Sequence, residues 1–184
     1  GVQTCALPIC EHRLVTLTGP GGSGKTRLAV ELARVQQARA GFDLVAFMPL
    51  AACNDPADLP ERLLGLLQPG QAGGLDAVVR TLAGRHALLV LDNLEQLLPA
   101  ASQAVASLLA ALPHLHVLAT SRRRLDVDGE LEWSVEPLSV PEADAALEDL
   151  AASPALALFV DRARAARADF HLGPRNAAAL AEIG

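Results

Sequence analysis

LVTLTGPGGSGKT, Leu14 to Thr26, decides the fold. Its first five residues read as a buried strand. The next eight, Gly19-Pro20-Gly21-Gly22-Ser23-Gly24-Lys25-Thr26, match the pattern G-x-x-x-x-G-K-[ST]. Glycines let backbone N–H groups turn inward around phosphate oxygens. The helix that follows points its positive end at the same anion. In such a loop the lysine, Lys25, reaches the β- and γ-phosphates, and the threonine, Thr26, gives its hydroxyl oxygen to Mg²⁺. Arg27 opens the helix and completes the expected nucleotide-contacting stretch, Gly19 to Arg27.

Composition sharpens the reading of Lys25. The 184 residues carry 15 basic side chains against 21 acidic ones, and Lys25 is the only lysine. The other basic residues are arginines, whose broad planar head does not replace a compact ammonium. A net charge of −6 argues against direct nucleic-acid binding by this segment. No apolar stretch is long enough to span a bilayer, so no membrane partner is expected. Three cysteines, Cys5, Cys10 and Cys53, make no disulfide framework, which points to a reduced cytoplasmic compartment.

Outward from the loop, apolar runs alternate with helical patterns, the mark of a parallel α/β sheet. Strands are expected over Leu14–Thr18, Leu44–Pro49, Ala87–Leu91, Val117–Thr120 and Leu131–Val135. Leu28, Leu32 and Val35 form a core-facing stripe, with Arg27 and Glu31 paired on another face. Leu59–Leu67, Leu75–Leu82 and Gln96–Leu112 also read as helices. The domain with the loop is expected over 11–139. Residues 1–10 fit no pattern and are expected to be foreign to the fold or disordered. After the proline-marked PLSVPEAD, 140–184 reads as a linker and the truncated start of a helical subdomain, with Leu156, Phe159, Val160 and Ala163 on one helix face.

Two further strand ends carry chemistry. LLVLDNLEQLL puts Asp92 at the carboxyl end of a buried strand, where a Walker B carboxylate holds Mg²⁺. Many P-loop ATPases place glutamate directly after this aspartate. Here Asn93 stands there, and Glu95 lies three residues past Asp92. Glu95 either orients the attacking water or merely begins a helix and favours its dipole. Hydrolysis is accordingly expected to be slow. VLATSRRRL brings Thr120, Ser121 and Arg122 to the same sheet edge, where Arg122 can sense or stabilise the γ-phosphate. Arg123 and Arg124 read as solvated loop charges.

Other signals are weaker. His114 and His116 lack metal-ligand partners in sequence, and His12, His86 and His171 stand isolated. Cys53 has no adjacent base. Asp128-Gly129 reads as a turn between Leu125–Val127 and Leu131–Val135. Trp133 reads as a packing residue.

With these residues in hand, the chain resembles the nucleotide-binding domain of STAND-class signal-transduction ATPases. It is most similar to the NB-ARC-like module of bacterial LuxR- and SARP-type multidomain transcriptional regulators. LVTLTGPGGSGKTRLAVELA, LLVLDNLEQLL, ATSR, LEWSVEPLS and SPALALFVDRA run in that family's order from Arg13 to Phe170. The resemblance implies a three-layer P-loop NTPase sheet in the order 5-1-4-3-2, counted along the chain. It implies that Arg122 is a sensor arginine, that ATP/ADP and Mg²⁺ are the ligands, and that ATP favours an open, assembling state, with homo-oligomers and other domains of the parent regulator as partners. Two family elements are absent: the adenine-contacting hhGRxxE segment before Arg13 and the GLPLA element after Gly184. A fragment is therefore expected. Two rival readings are a nucleotide-dependent interaction module with negligible hydrolysis, favoured by Asn93, and a small-molecule kinase.

Overall fold

The computed structural model describes residues 9, 11–39 and 41–137, and the isolated positions 153, 160, 163, 164, 167, 171 and 173. The chain divides into two compact units, Gly1–Glu136 and Pro137–Gly184. Most of 1–10 and of 140–184, where a foreign leader and a helical subdomain were expected, lies outside the described residues. Ile9 is described, and it is buried against Val15 and its neighbours.

Five strands build the first unit: β1 (Leu14–Thr18), β2 (Leu44–Pro49), β3 (Ala87–Asp92), β4 (Leu115–Thr120) and β5 (Glu130–Ser134). They form one sheet in the order β2-β3-β4-β1-β5, with every pairing parallel. This is the expected order read from the opposite edge. Helices α1 (Lys25–Ala38), α2 (Leu59–Leu67), α3 (Leu75–Leu82) and α4 (Ala100–Ala111) connect the strands.

Alternation along the strands divides the core into two layers. Leu89, Leu91, Val117 and Ala119 face one side, where Leu63 of α2, Val78 of α3 and Val105 and Leu108 of α4 pack. Leu88, Val90 and Leu118 face the other side and meet Ala29 and Leu32 of α1, along with Val15 and Leu17 of β1. All six residues of β3 are buried, as a strand covered on both faces requires. Helices on both sides of a parallel sheet force the functional groups out to the carboxyl ends of the strands.

Several local expectations need correction. The buried face of α1 is Lys25, Ala29, Leu32, Ala33 and Gln36, with Leu28 and Val35 only partly covered. Small alanines let the helix lie close to the sheet and rotate the stripe. Glu31 pairs with Arg34 at 2.8 Å, not with Arg27. The helix expected over Gln96–Leu112 is interrupted. Leu94–Leu97 forms a 3-10 turn, and α4 begins only at Ala100. Pro99 disfavours a helical residue before it, and Leu98 is extended with ψ 144°.

Finally, Asp128-Gly129 does turn the chain, with Gly129 at φ 78° and the Glu130 N–H donating to the Val127 carbonyl at 3.1 Å. No strand precedes it, however. Leu125 is buried in the core, and β5 runs parallel to β1. Trp133 stands on β5 at the sheet edge and is 37% exposed, so it is not a core packing residue.

Candidate functional site

The site assembles where β1, β3 and β4 end. Thr18 passes directly into the glycine loop, whose backbone only glycine adopts easily: φ is 146° at Gly19, 84° at Gly22 and 90° at Gly24. At Gly19 a β-carbon would stand 2.4 Å from the Val135 carbonyl oxygen, so the loop is wedged against the chain leaving β5. The Val135 N–H donates to the Thr18 carbonyl at 2.7 Å and fixes that approach. Gly24 is the N-cap of α1, and no side chain caps the helix. The positive end of a 14-residue helix is thereby aimed into the loop.

Lys25 is 8% exposed. Its ammonium donates to the carbonyls of Gly19 at 2.9 Å and Pro20 at 2.7 Å. The charge is thus held within the loop by neutral acceptors, and among the described residues no carboxylate pairs with it. Ser23 Oγ is buried in the same loop and has no hydrogen-bond partner. A buried ammonium beside a buried hydroxyl has the charge and donors that suit an anion.

The second half of the site is a chain of short polar contacts. Thr26 Oγ1 donates to Asp92 Oδ1 at 2.8 Å, linking the loop to the end of β3. Thr120 Oγ1 donates to the same oxygen at 2.6 Å, and itself accepts from the Asn93 N–H at 2.9 Å. Asn93 sits in the left-handed region at φ 69°, which turns the chain sharply off β3. The Leu50 N–H donates to the Asp92 carbonyl at 2.9 Å. Asp92 is therefore braced from the first turn of α1, from β4 and from the chain just past β2. The Thr26 hydroxyl and the Asp92 carboxylate supply oxygen donors of the kind a hard divalent cation takes. The sequence reading brings Thr120 to this edge without giving it a role, and its hydrogen bond to Asp92 supplies one. Its signal was a polar residue ending an otherwise apolar strand.

Glu95 lies in the 3-10 turn after β3, and Arg122 two residues past β4. They meet: Arg122 Nε stands 3.3 Å from Glu95 Oε1. The Arg122 side chain is 70% exposed and that of Glu95 is 19% exposed. Glu95 Oε2 is buried without a partner. Arg122 also leans over the phosphate loop, its Nη2 3.9 Å from where a β-carbon on Gly21 would sit. Pro20, Gly21 and Gly22 are exposed at the loop tip, and Arg27 is exposed in the first turn of α1.

The remaining arginines separate. Arg124 is paired with Asp126 at 2.8 Å and lies 3.7 Å from Glu130, whose carboxylate also accepts the N–H groups of Leu125 and Asp126. Arg124 is a solvated loop charge, as expected, and also pairs within the β4–β5 connection. Arg123 is exposed. His86 is not isolated either. Its ring packs with His116 at 5.2 Å and with Phe42 at 4.5 Å, at the amino ends of the strands. Among the described residues no group of three or more His, Cys, Asp or Glu side chains is placed to hold a metal ion. No helix among them is long and apolar enough to cross a membrane.

A parallel sheet in this order, with a glycine loop feeding α1 and a carboxylate at the end of β3, defines a P-loop NTPase. Residues 13–153 match the family model for the NACHT domain. The chain belongs to the NACHT domain family, within the STAND class, which is the class expected from the sequence under a different member name.

The chain is 39% identical over 176 residues to a Mycobacterium tuberculosis protein named "Putative HTH-type transcriptional regulator". That match covers 95% of this chain and 19% of the relative, so the chain spans about a fifth of its length. Among solved structures it is similar to Cdc6p from Pyrobaculum aerophilum, with a TM-score of 0.59, 16% identity, and coverage of 83% of this chain and 43% of that one. It is also similar to AMPPCP-bound DnaA from Aquifex aeolicus, with a TM-score of 0.54, 15% identity, and coverage of 94% of this chain and 51% of that one.

Proposed function

We propose that this chain is an ATP- and ADP-binding regulatory module that acts as a nucleotide switch within a signalling or transcriptional regulator. The observation that carries the reading is the buried Lys25 ammonium, held over the loop by two carbonyls and paired with no carboxylate. A polyphosphate supplies the negative charge that this arrangement lacks. The similar DnaA structure is bound to AMPPCP, and the mycobacterial relative is named for transcriptional regulation. Both agree with the reading.

In this proposal the glycine loop from Gly19 to Gly24 and the start of α1, including Arg27, surround the phosphates. Lys25 neutralises their charge. Thr26 and Asp92 hold Mg²⁺, which when bound screens the phosphates and polarises them. Thr120 fixes the rotamer of Asp92 through its 2.6 Å hydrogen bond. Arg122 stabilises γ-phosphate charge. Other domains of the parent protein, and further copies of it in the ATP state, read the outcome, in a cytoplasmic setting.

A second reading has its own observation. The residue after Asp92 is Asn93, and the nearby carboxylate Glu95 is engaged by Arg122. A nucleotide-dependent interaction module with negligible hydrolysis fits that pairing better than a fast ATPase does.

Calorimetric titration with ATP and ADP, with and without Mg²⁺, tests the proposal. Binding of both nucleotides, abolished in Lys25→Ala, is expected. Absence of binding in a folded wild-type chain overturns it.

A further inference from the structure

We infer that Glu95 is the counter-ion that holds Arg122 back and sets the preference between nucleoside triphosphate and diphosphate. The inference rests on the nucleotide reading above and deepens it.

Three observations converge on this pair. Arg122 Nε is engaged by Glu95 Oε1 at 3.3 Å. The other end of the same guanidinium, Nη2, lies over the phosphate loop at Gly21. The second carboxylate oxygen, Glu95 Oε2, is buried with no donor to satisfy it.

The guanidinium therefore bridges a largely buried carboxylate and the mouth of the anion site. Guanidinium groups bind carboxylate and phosphate through the same planar donor set. A phosphate at the far end of the loop competes with Glu95 for one cation. With Arg122 drawn off, Glu95 is left buried and less well compensated, which is costly. That cost opposes only a nucleotide whose phosphate chain reaches Arg122. A diphosphate, held by Lys25 deeper in the loop, leaves the pair intact. Glu95 is thus a positioning residue that acts through Arg122.

Its placement follows from the local backbone. Asn93 in the left-handed region and the 3-10 turn over Leu94–Leu97 swing Glu95 back toward β4, while Leu94 and Leu97 anchor the turn in the core. A regular helix from Gln96 onward would not impose that turn.

The test is a double-mutant cycle on the full chain. Binding of Mg-AMP-PNP and Mg-ADP is measured by calorimetry for wild type, Glu95→Gln, Arg122→Ala and the double variant, with thermal melting to verify folding. Glu95→Gln is expected to tighten the triphosphate analogue about fivefold and to leave ADP within about twofold. Arg122→Ala is expected to weaken the analogue about fivefold more in the Glu95→Gln background than in wild type. Equal shifts for both nucleotides, or additive substitutions, overturn the inference while leaving nucleotide binding in place. Arg122→Lys, which keeps the charge and loses the planar fork, should recover less than half of the coupling, and full recovery counts against a shared donor set. A wild-type chain that binds neither nucleotide overturns the underlying reading and this inference together.

Discussion

The two ends of the same five strands are built on opposite principles. At the carboxyl ends, Lys25, Asp92, Thr120 and Ser121 are all under 9% exposed, and Ser23 Oγ and Glu95 Oε2 find no hydrogen-bond partner among the described residues. At the amino ends, polar groups meet their needs within the chain. Arg13, just before β1, donates to the carbonyls of Leu109 and Leu112 at the end of α4 and to Leu115 at 3.3 Å. His116 Nδ1 contacts the Ile9 carbonyl at 2.8 Å, the Asp43 N–H donates to the His86 carbonyl, and the His86 N–H donates to the Asp43 carboxylate, the last two both at 2.8 Å. The contrast teaches where binding capacity resides. Unspent hydrogen-bonding and charge belong to a ligand, and spent ones to stability.

That contrast can be broken at either end. The largest effect is expected at Lys25. Lys25→Ala should lower Mg-ATP affinity by more than about 100-fold in calorimetry, with little change in melting temperature. Lys25→Arg should not rescue it, because the planar head does not fit the carbonyl pair.

Next comes Asp92. Asp92→Asn keeps the shape and removes the charge, so ATP affinities measured with Mg²⁺ and with EDTA should converge to within about twofold. If the Mg²⁺ dependence survives, the metal is held elsewhere.

At the opposite end the expected change is in stability alone. Arg13→Ala removes a cation from the carboxyl end of α4, where it satisfies helix carbonyls, and should cost roughly 1 kcal/mol in chemical denaturation. The figure is small because the side chain is partly in solvent. Nucleotide affinity should not move.

The smallest effect concerns pH. His116 titrates below its ordinary value of 6.5, because burial disfavours its charged form, partly offset by the Ile9 carbonyl and reinforced by His86. The unfolded chain therefore binds the proton more readily. This contribution to stability is fully present above pH 6.5 and is lost as pH falls through the lower folded value. His116→Phe should flatten that part of the acid limb of the melting profile. A steeper limb would show that another group governs it.

The sequence exposed the carboxyl end far better than the amino end. Residue type there is dictated by local geometry: a glycine is needed where φ is positive, and a polar residue ending an apolar strand stands out. Lys25, Thr26 and Asp92 could be named because strand, turn and helix lie within a few residues of one another. The contacts of Arg13 and the ring group of Phe42, His86 and His116 join residues far apart in the chain, so no spacing announced them. The break before α4 was legible in Pro99 and was overridden by the apolar periodicity of Gln96–Leu112. Trp133 was misread because an edge strand carries the same apolar and polar letters as one with neighbours on both sides.

The solitary lysine gives the chain a built-in reporter. Every other cation among its side chains is a guanidinium or an imidazole, so a single ε-amine answers to acylating reagents. Mass spectrometry of one tryptic-scale modification would then follow occupancy of the loop directly, as shielding of one amine, with no engineered label.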